Sequence, residues 1–476
     1  MKHINHSRRH FLNAATGLAA AAASPAGQRF SAPLALSLAG LGAMAAQSSS
    51  AADTSGPYKA LVCLFMAGGN DSHNWLVPTD ASGYAEYANA RRELAWPAGS
   101  LVPITSNSQG SGRSFGMPQE LQPLRDLYEA GRMAWVGNVG PLVRPVTKAE
   151  YLAGTGVPVK LFSHNDQASM WQSFYPEGAQ QGWGGRIGDL LVSANQSPVF
   201  TAMSTGGNAV FLSGSQVLQY QVNPSGPVRL DSGDFFGSTT ANAALQRVVT
   251  GGGGNDYQRE YTRVTQRALD NTAILEAALA GTSVGALPSS AITLPNGSSL
   301  NLSQDSLAQQ LRMVAQMVAA APRLGMRRQV FMVSMGGFDT HAYQMRDQPL
   351  LMARVAQSVG WFISALGSMG MQNNVTLFSA SDFGRTLTTN GQGSDHGWGS
   401  HHFVAGGAVR GGQIYGRVPR AVLGSNDEVG SGRLLPSTSV TEMAATLGRW
   451  MGLNSTELTQ VLPNLGNFGT AGLGFV

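Results

Sequence analysis

The sequence predicts an α/β fold: a mostly parallel sheet sandwiched by helices, with a peripheral insertion. Three observations predict it. Short apolar runs recur along the chain, each ending in a loop rich in Gly, Asp and Asn. A helical stretch separates two of those runs, and strand–helix–strand spacing favours parallel pairing with a right-handed crossover. A capped, amphipathic helix then follows near the C-terminus.

Taken in order, Tyr58–Met66 is the first apolar run and ends in Gly68-Gly69-Asn70-Asp71, a strand feeding a loop. Pro118–Arg132 reads as a helix leading into a strand at Met133–Val136. The stretch from about 204 to 304 holds four glycines (251–254), a polar helix near Asp256–Ala280 and a Gly/Ser/Pro-rich loop, and reads as an excursion from the sheet. Gln329–Ser334 is a strand ending in GGFDTH (336–341). Leu351, Val355, Val359 and Phe362 share one face of a helix over Leu350–Leu366. Asn374–Ser379 is the next strand and ends in SDFGR (381–385). Ser439 and Glu442 form a capping box ahead of the stripe Val440, Met443, Ala444, Leu447, Trp450 and Met451.

The chain has 476 residues and a formal charge of +4. Its first 50 residues hold Lys2, Arg8, Arg9 and Arg29 and no acid, so the remaining 27 positive charges equal the 27 negative ones. Nucleic-acid binding wants a concentrated basic face, so it is excluded. A single Cys excludes a disulfide framework and a Cys-rich zinc site. Cys63 lies in an apolar run and reads as a buried small hydrophobe. Ser7-Arg8-Arg9-His10-Phe11-Leu12 followed by an Ala-rich run is the twin-arginine pattern. Residues 1–46 therefore read as a signal peptide and 47–476 as one mature α/β domain. The translocase would be its partner during export, and the destination periplasmic or secreted. The apolar core Ala32–Ala46 falls short of the roughly 20 residues a membrane span needs, so no stable span is expected.

Histidine marks the candidate site. Outside the leader the imidazoles are His73, His164, His341, His396, His401 and His402, each within a few residues of Asp or Asn. In a parallel sheet the loops at strand C-termini converge on one edge, where ligands bind. GGNDSHN (68–74), GGFDTH (336–341), SDFGR (381–385) and SDHGWGSHH (394–402) should then meet. Together they offer Asp71, Asp339, Asp382, Asp395, His341, His396 and His401, a donor set for Zn, Mn, Ca or Mg. Two cations held by shared carboxylates would polarise a phosphoryl or sulfuryl oxygen. His401 and His402 point to opposite sides of a strand, so at most one enters the site. His73 reads as a cap or a solvent-facing side chain. Ser163 is either a nucleophile at a helix start or simply its N-cap. Arg385 is a candidate grip on a small anionic ester substrate, and His164 stands beside Ser163 as a candidate catalytic group. No P-loop or clean dinucleotide fingerprint is present.

At these residues the chain resembles the exported bacterial proteins called "domain of unknown function 1501". The matching pieces are LFMAGGNDSHNWLVP (64–78), LQPLRDLYEAGRMAWVGNVG (121–140), FSHNDQASMWQ (162–172), GWGGRIG (182–188), GGFDTHAYQ (336–344), SDFGRT (381–386) and SDHGWGSHHFVAGGAVRGGQIYG (394–416). That family in turn resembles a remote branch of the alkaline phosphatase and sulfatase superfamily. The resemblance implies metal ligands at strand ends, with Asp71 on the first strand, Asp339 and His341 as an Asp/His pair, and Asp382 and the DHG at 395–397 completing the set. Phe383 stands where that superfamily places a histidine, and no Cys-x-Pro-x-Arg nucleophile motif is present. The expectation is an exported metal-dependent hydrolase of phosphate or sulfate esters. The alternative is a non-catalytic envelope binding or assembly protein that keeps the hydrolase fold.

Overall fold

Seven of the eight residues of the first strand, Lys59–Met66, are buried, because neighbouring strands flank it and helices cover both its faces. That is why it reads as a continuous apolar run and not an alternating one. The computed structural model describes residues 55–227, 238–252, 254–469 and 472–476. The expected twin-arginine leader, residues 1–46, lies outside the described residues. The central sheet is built from β1 (Lys59–Met66), β2 (Met133–Gly140), β3 (Ala202–Ser204), β4 (Tyr220–Gln221), β5 (Arg328–Met335), β6 (Val375–Ser381), β7 (Ser400–Ala405), β8 (Ile414–Gly416) and β9 (Thr438–Ser439). Their order is β8-β2-β7-β6-β1-β5-β3-β4, with β9 also on β2. β1 runs parallel to both β5 and β6, in register Cys63↔Met332 and Cys63↔Phe378. Only β7 runs against its neighbours β6 and β2. The sheet is therefore mostly parallel, as expected.

Helices cover both faces. They include α1 (Gln122–Glu129), α2 (His164–Ser173), α3 (Trp183–Leu191), α4 (Asp256–Ala280), α5 (Ser306–Ala320), α6 (Gln344–Ser368) and α7 (Val440–Met451). Ala60, Val62, Leu64 and Met66 of β1 join one core with Leu311 and Val314 of α5 and Val355, Val359 and Phe362 of α6. Leu61, Cys63 and Phe65 are buried on the other face, which α7 covers. The Ser439/Glu442 capping box is formed as expected. α6 is long and apolar enough to cross a membrane, the one such helix among the described residues. Its apolar stripe is instead spent on the core.

Two elements differ from expectation. Helix α1 starts at Gln122, with Pro123 in its first turn; before it Phe115–Pro118 is a strand paired with Leu101–Ile104, its apolar Phe115 and Met117 drawn into the core. Within 204–304, α4 has the predicted bounds, and it buries only Leu275 and Ala278. Tyr220–Gln221 within that stretch is strand β4 of the central sheet, so the stretch is not wholly an excursion from it.

Candidate metal centre

Parallel pairing of β1, β5 and β6 brings their C-terminal loops to one edge. Gly68 makes the close approach possible: at φ +117° it adopts a backbone that side chains rarely do, and a Cβ there would lie 2.4 Å from the amide nitrogen of Asp339. Asp339 follows β5, Asp382 follows β6, and a hairpin of Arg385–Thr389 and Ser394–His396 folds back over both. His164 arrives from the first turn of α2.

Three imidazoles converge on Asp339. Nε2 of His341 lies 3.1 Å and Nε2 of His396 3.4 Å from Asp339 Oδ1, while Nε2 of His164 lies 3.5 Å from Oδ2. The His341 and His396 Nε2 atoms are 2.8 Å apart. Each ring is held through its other nitrogen. Nδ1 of His164 faces Asp382 Oδ2 at 2.6 Å, Nδ1 of His341 faces Asp395 Oδ1 at 3.1 Å, and Nδ1 of His396 faces the Phe162 carbonyl at 2.8 Å. A carbonyl and a carboxylate oxygen accept, so each Nδ1 donates and each ring turns its Nε2 toward Asp339. With both rings neutral and donating from Nδ1, two Nε2 lone pairs would face each other 2.8 Å apart, a contact that a cation between them relieves. One oxygen of Asp339 and one ring nitrogen each of His164 and His396 already lie within 4.8 Å of one another. The donor set therefore fits a divalent cation.

Electrostatics support the arrangement. Burial by itself would raise the Asp339 carboxyl, but the Arg385 hydrogen bond and charge hold it below the usual carboxylate range. Burial pushes Asp382 up despite the His164 and Gly68 hydrogen bonds, and its second oxygen Oδ1 is buried without a partner. Burial holds His396 below the usual histidine range, which keeps it neutral. Phe162 takes a left-handed φ of +69°, a strained state for a bulky residue. That twist aims its carbonyl at His396, and the Arg433 guanidinium stacked 5.0 Å from its ring helps hold it. The four converging side chains are 24–46% exposed, so the cluster opens to solvent on one side.

Other expected site residues are placed elsewhere. Asp71 is 1% exposed, paired with the buried Arg91 and hydrogen-bonded by Gln344 at 2.5 Å, and it also caps His73 N. Its carboxylate is spent on that network. Asp382 and Asp395 stand behind His164 and His341 and do not themselves join the convergence. His401 accepts from the Asn138 amide in the interior, and His402 packs on Trp171, so neither strand histidine enters the cluster. His73 is buried and bonded to the Arg385 carbonyl, contrary to the solvent-facing expectation. Ser163 caps α2, its hydroxyl donating to Asp166 Oδ2 at 2.8 Å. The Arg385 side chain is fully buried, bonding Asp339 at 2.7 Å, Gly68 O at 3.2 Å and Ser394 O at 2.5 Å. It grips Asp339. His164 is the imidazole that sequence reasoning left outside the ligand set; its signal was the N-cap Ser163, which fixes a ring in the first turn of a helix. Phe383 packs its ring 4.7 Å from His164 and 4.5 Å from His396, over Gly69.

No curated protein matches the chain. Among solved structures, Ps i-CgsB in complex with k-i-k-neocarrahexaose is 13% identical with a TM-score of 0.36, over 87% of this chain and 78% of that one. The PsFucS1 sulfatase from Pseudoalteromonas sp. is 10% identical with a TM-score of 0.34, over 87% and 71%. The C-terminal periplasmic domain of EcEptC from Escherichia coli, in complex with Zn, is 10% identical with a TM-score of 0.33, over 85% of each chain. The family model described as "Protein of unknown function (DUF1501)" matches residues 58–465, which include every residue of the imidazole cluster, and the chain belongs to that family.

Proposed function

We propose that this protein is an exported metal-dependent hydrolase of phosphate or sulfate esters, with His164, Asp339, His341 and His396 holding one divalent cation. The observation that carries the reading is the convergence of three Nε2 atoms on one carboxylate, each ring fixed through Nδ1. Imidazole with a single carboxylate suits Zn or Mn better than Mg or Ca, which prefer oxygen shells. A cation bound there would supply Lewis acidity, polarising an ester oxygen and acidifying a water.

The chain's own residues orient that chemistry. Arg385 keeps Asp339 ionised and aimed, and the three Nδ1 partners keep the rings in one tautomer. Ser163 is committed to its helix cap, so water is the attacking nucleophile. Arg91 neutralises Asp71, and Phe383 occupies the place of a further imidazole, which favours one cation over two. Arg8-Arg9 and the Ala-rich run after them support export through the twin-arginine translocase. The alternative, a non-catalytic envelope binding or assembly protein, draws on one observation. Among the described residues, no Ser, Thr or Cys side chain hydrogen-bonds to the four converging groups.

Zn- or Mn-loaded protein assayed on aryl phosphates and aryl sulfates decides between them. Turnover that falls at least ~100-fold in Asp339→Asn supports the hydrolase. A retained cation without turnover supports the binding protein.

A further inference from the structure

We propose that the acid group accepted at this centre is a monoanion, a phosphate diester or a sulfate monoester, and not the dianion of a phosphate monoester. The proposal rests on the metal-centred reading above and adds the substrate's charge. Three carboxylates build the cluster, Asp339, Asp382 and Asp395, and the one cation among them is Arg385. With neutral imidazoles, a divalent ion brings that group to electrical neutrality. A dianion would then leave the assembly with two unbalanced charges, a monoanion with one.

The surrounding cations do not make up the difference. Arg385 is fully buried, its Nη donors going to Asp339, Gly68 O and Ser394 O and its Nε left without a partner. Arg91 is fully buried against Asp71 and the carbonyls of Thr386 and Leu387. Arg433 donates from Nε to His396 O and lies against the Phe162 ring. Lys160 pairs with Asp166 at 3.3 Å. The N-terminus of α2, which would otherwise attract an anion, carries Asp166 in its own first turn. Asp395, 50% exposed, faces the solvent side of the cluster and repels incoming negative charge. The cost of desolvating an ion rises with the square of its charge, so a dianion loses more on entry, and Arg433, the one of these cations without a carboxylate partner, offsets a single charge.

Methyl sulfate and methyl phosphate test the proposal, because they are near-isosteric and differ by one charge above neutral pH. Their binding to the Zn-loaded mature chain is measured by calorimetry, with cation content determined on the same sample. Methyl sulfate should bind about tenfold more tightly, equivalent to ~1.4 kcal/mol. In Asp395→Asn, checked to retain its cation, the preference should shrink. Equal or tighter binding of methyl phosphate, no detectable binding of either anion, or an unchanged preference in Asp395→Asn overturns the inference while leaving the metal centre intact. A protein that holds no cation removes both.

Discussion

At the scale of single residues, two kinds of carboxylate stand near the same sheet edge and differ in what they face. Asp339 is half-exposed and surrounded by three imidazoles, whereas Asp71 is fully buried and faces a guanidinium. Replacing each by Asn should separate their roles. Asp339→Asn should lower cation affinity by at least ~100-fold with a small effect on the apo-protein's melting, because it removes the charge on which the Nε2 atoms converge. Asp71→Asn should leave the cation in place and destabilise the fold by about 3–5 kcal/mol, since Arg91 is then a buried, unpaired charge. Competition titration with a chelator and urea denaturation read the two effects. Asp382 acts through His164, so Asp382→Asn should weaken cation binding by roughly 10–100-fold. An unchanged affinity in that variant would mean that the His164 tautomer is set by something else.

At the scale of elements, the loop after β1 and the loop after β5 touch through Gly68. Gly68→Ala puts a Cβ against the Asp339 backbone at a φ of +117°, and should cost about 1–3 kcal/mol and loosen cation binding together. Guanidinium melts of the apo-protein, with cation titrations, check the pairing of the two losses. The same elements explain how much was legible. Strand and helix positions followed from periodicity, because β1, β5 and β6 are buried on both faces and read as apolar runs. Asp339 and His341 were legible as loop residues after a strand, and His396 as a donor beside them, although it ends a short hairpin strand. The fate of Asp71 was not, since its partner Arg91 closes a helix 20 residues later and Gln344 is 273 residues away. Such long-range pairing leaves no local pattern. His164 was undervalued for a related reason: it comes from a helix start and not from a strand end, and only the fold brings it to Asp382, 218 residues on.

At the scale of the whole molecule, buried histidines make the fold sensitive to acid. Burial lowers His402 to about 3, with the Ser379 contact opposing. The folded-state value lies below the ordinary unfolded value near 6.5, so the unfolded chain binds the proton first. The stabilising contribution is full above about pH 6.5 and declines as the pH falls toward the folded value, by roughly 3 kcal/mol at about pH 4. His402→Asn should flatten the acid limb of a pH series of urea midpoints by about one proton; a slope equal to wild type would contradict a neutral buried ring. Folding also assembles the centre from segments far apart in sequence, His164, Asp339–His341 and His396. Bound cation should therefore raise the melting temperature of the whole domain and not of one loop.

The central claim is a single cation ligated by three imidazoles and one carboxylate. Metal analysis of the protein isolated from its native host, joined to X-ray absorption on the same sample, tests it most directly. The account predicts about one transition-metal ion per chain with a nitrogen-dominated shell, reduced by one imidazole in His164→Ala. A fully folded, metal-free protein, or an ion in an oxygen-only shell, would contradict it.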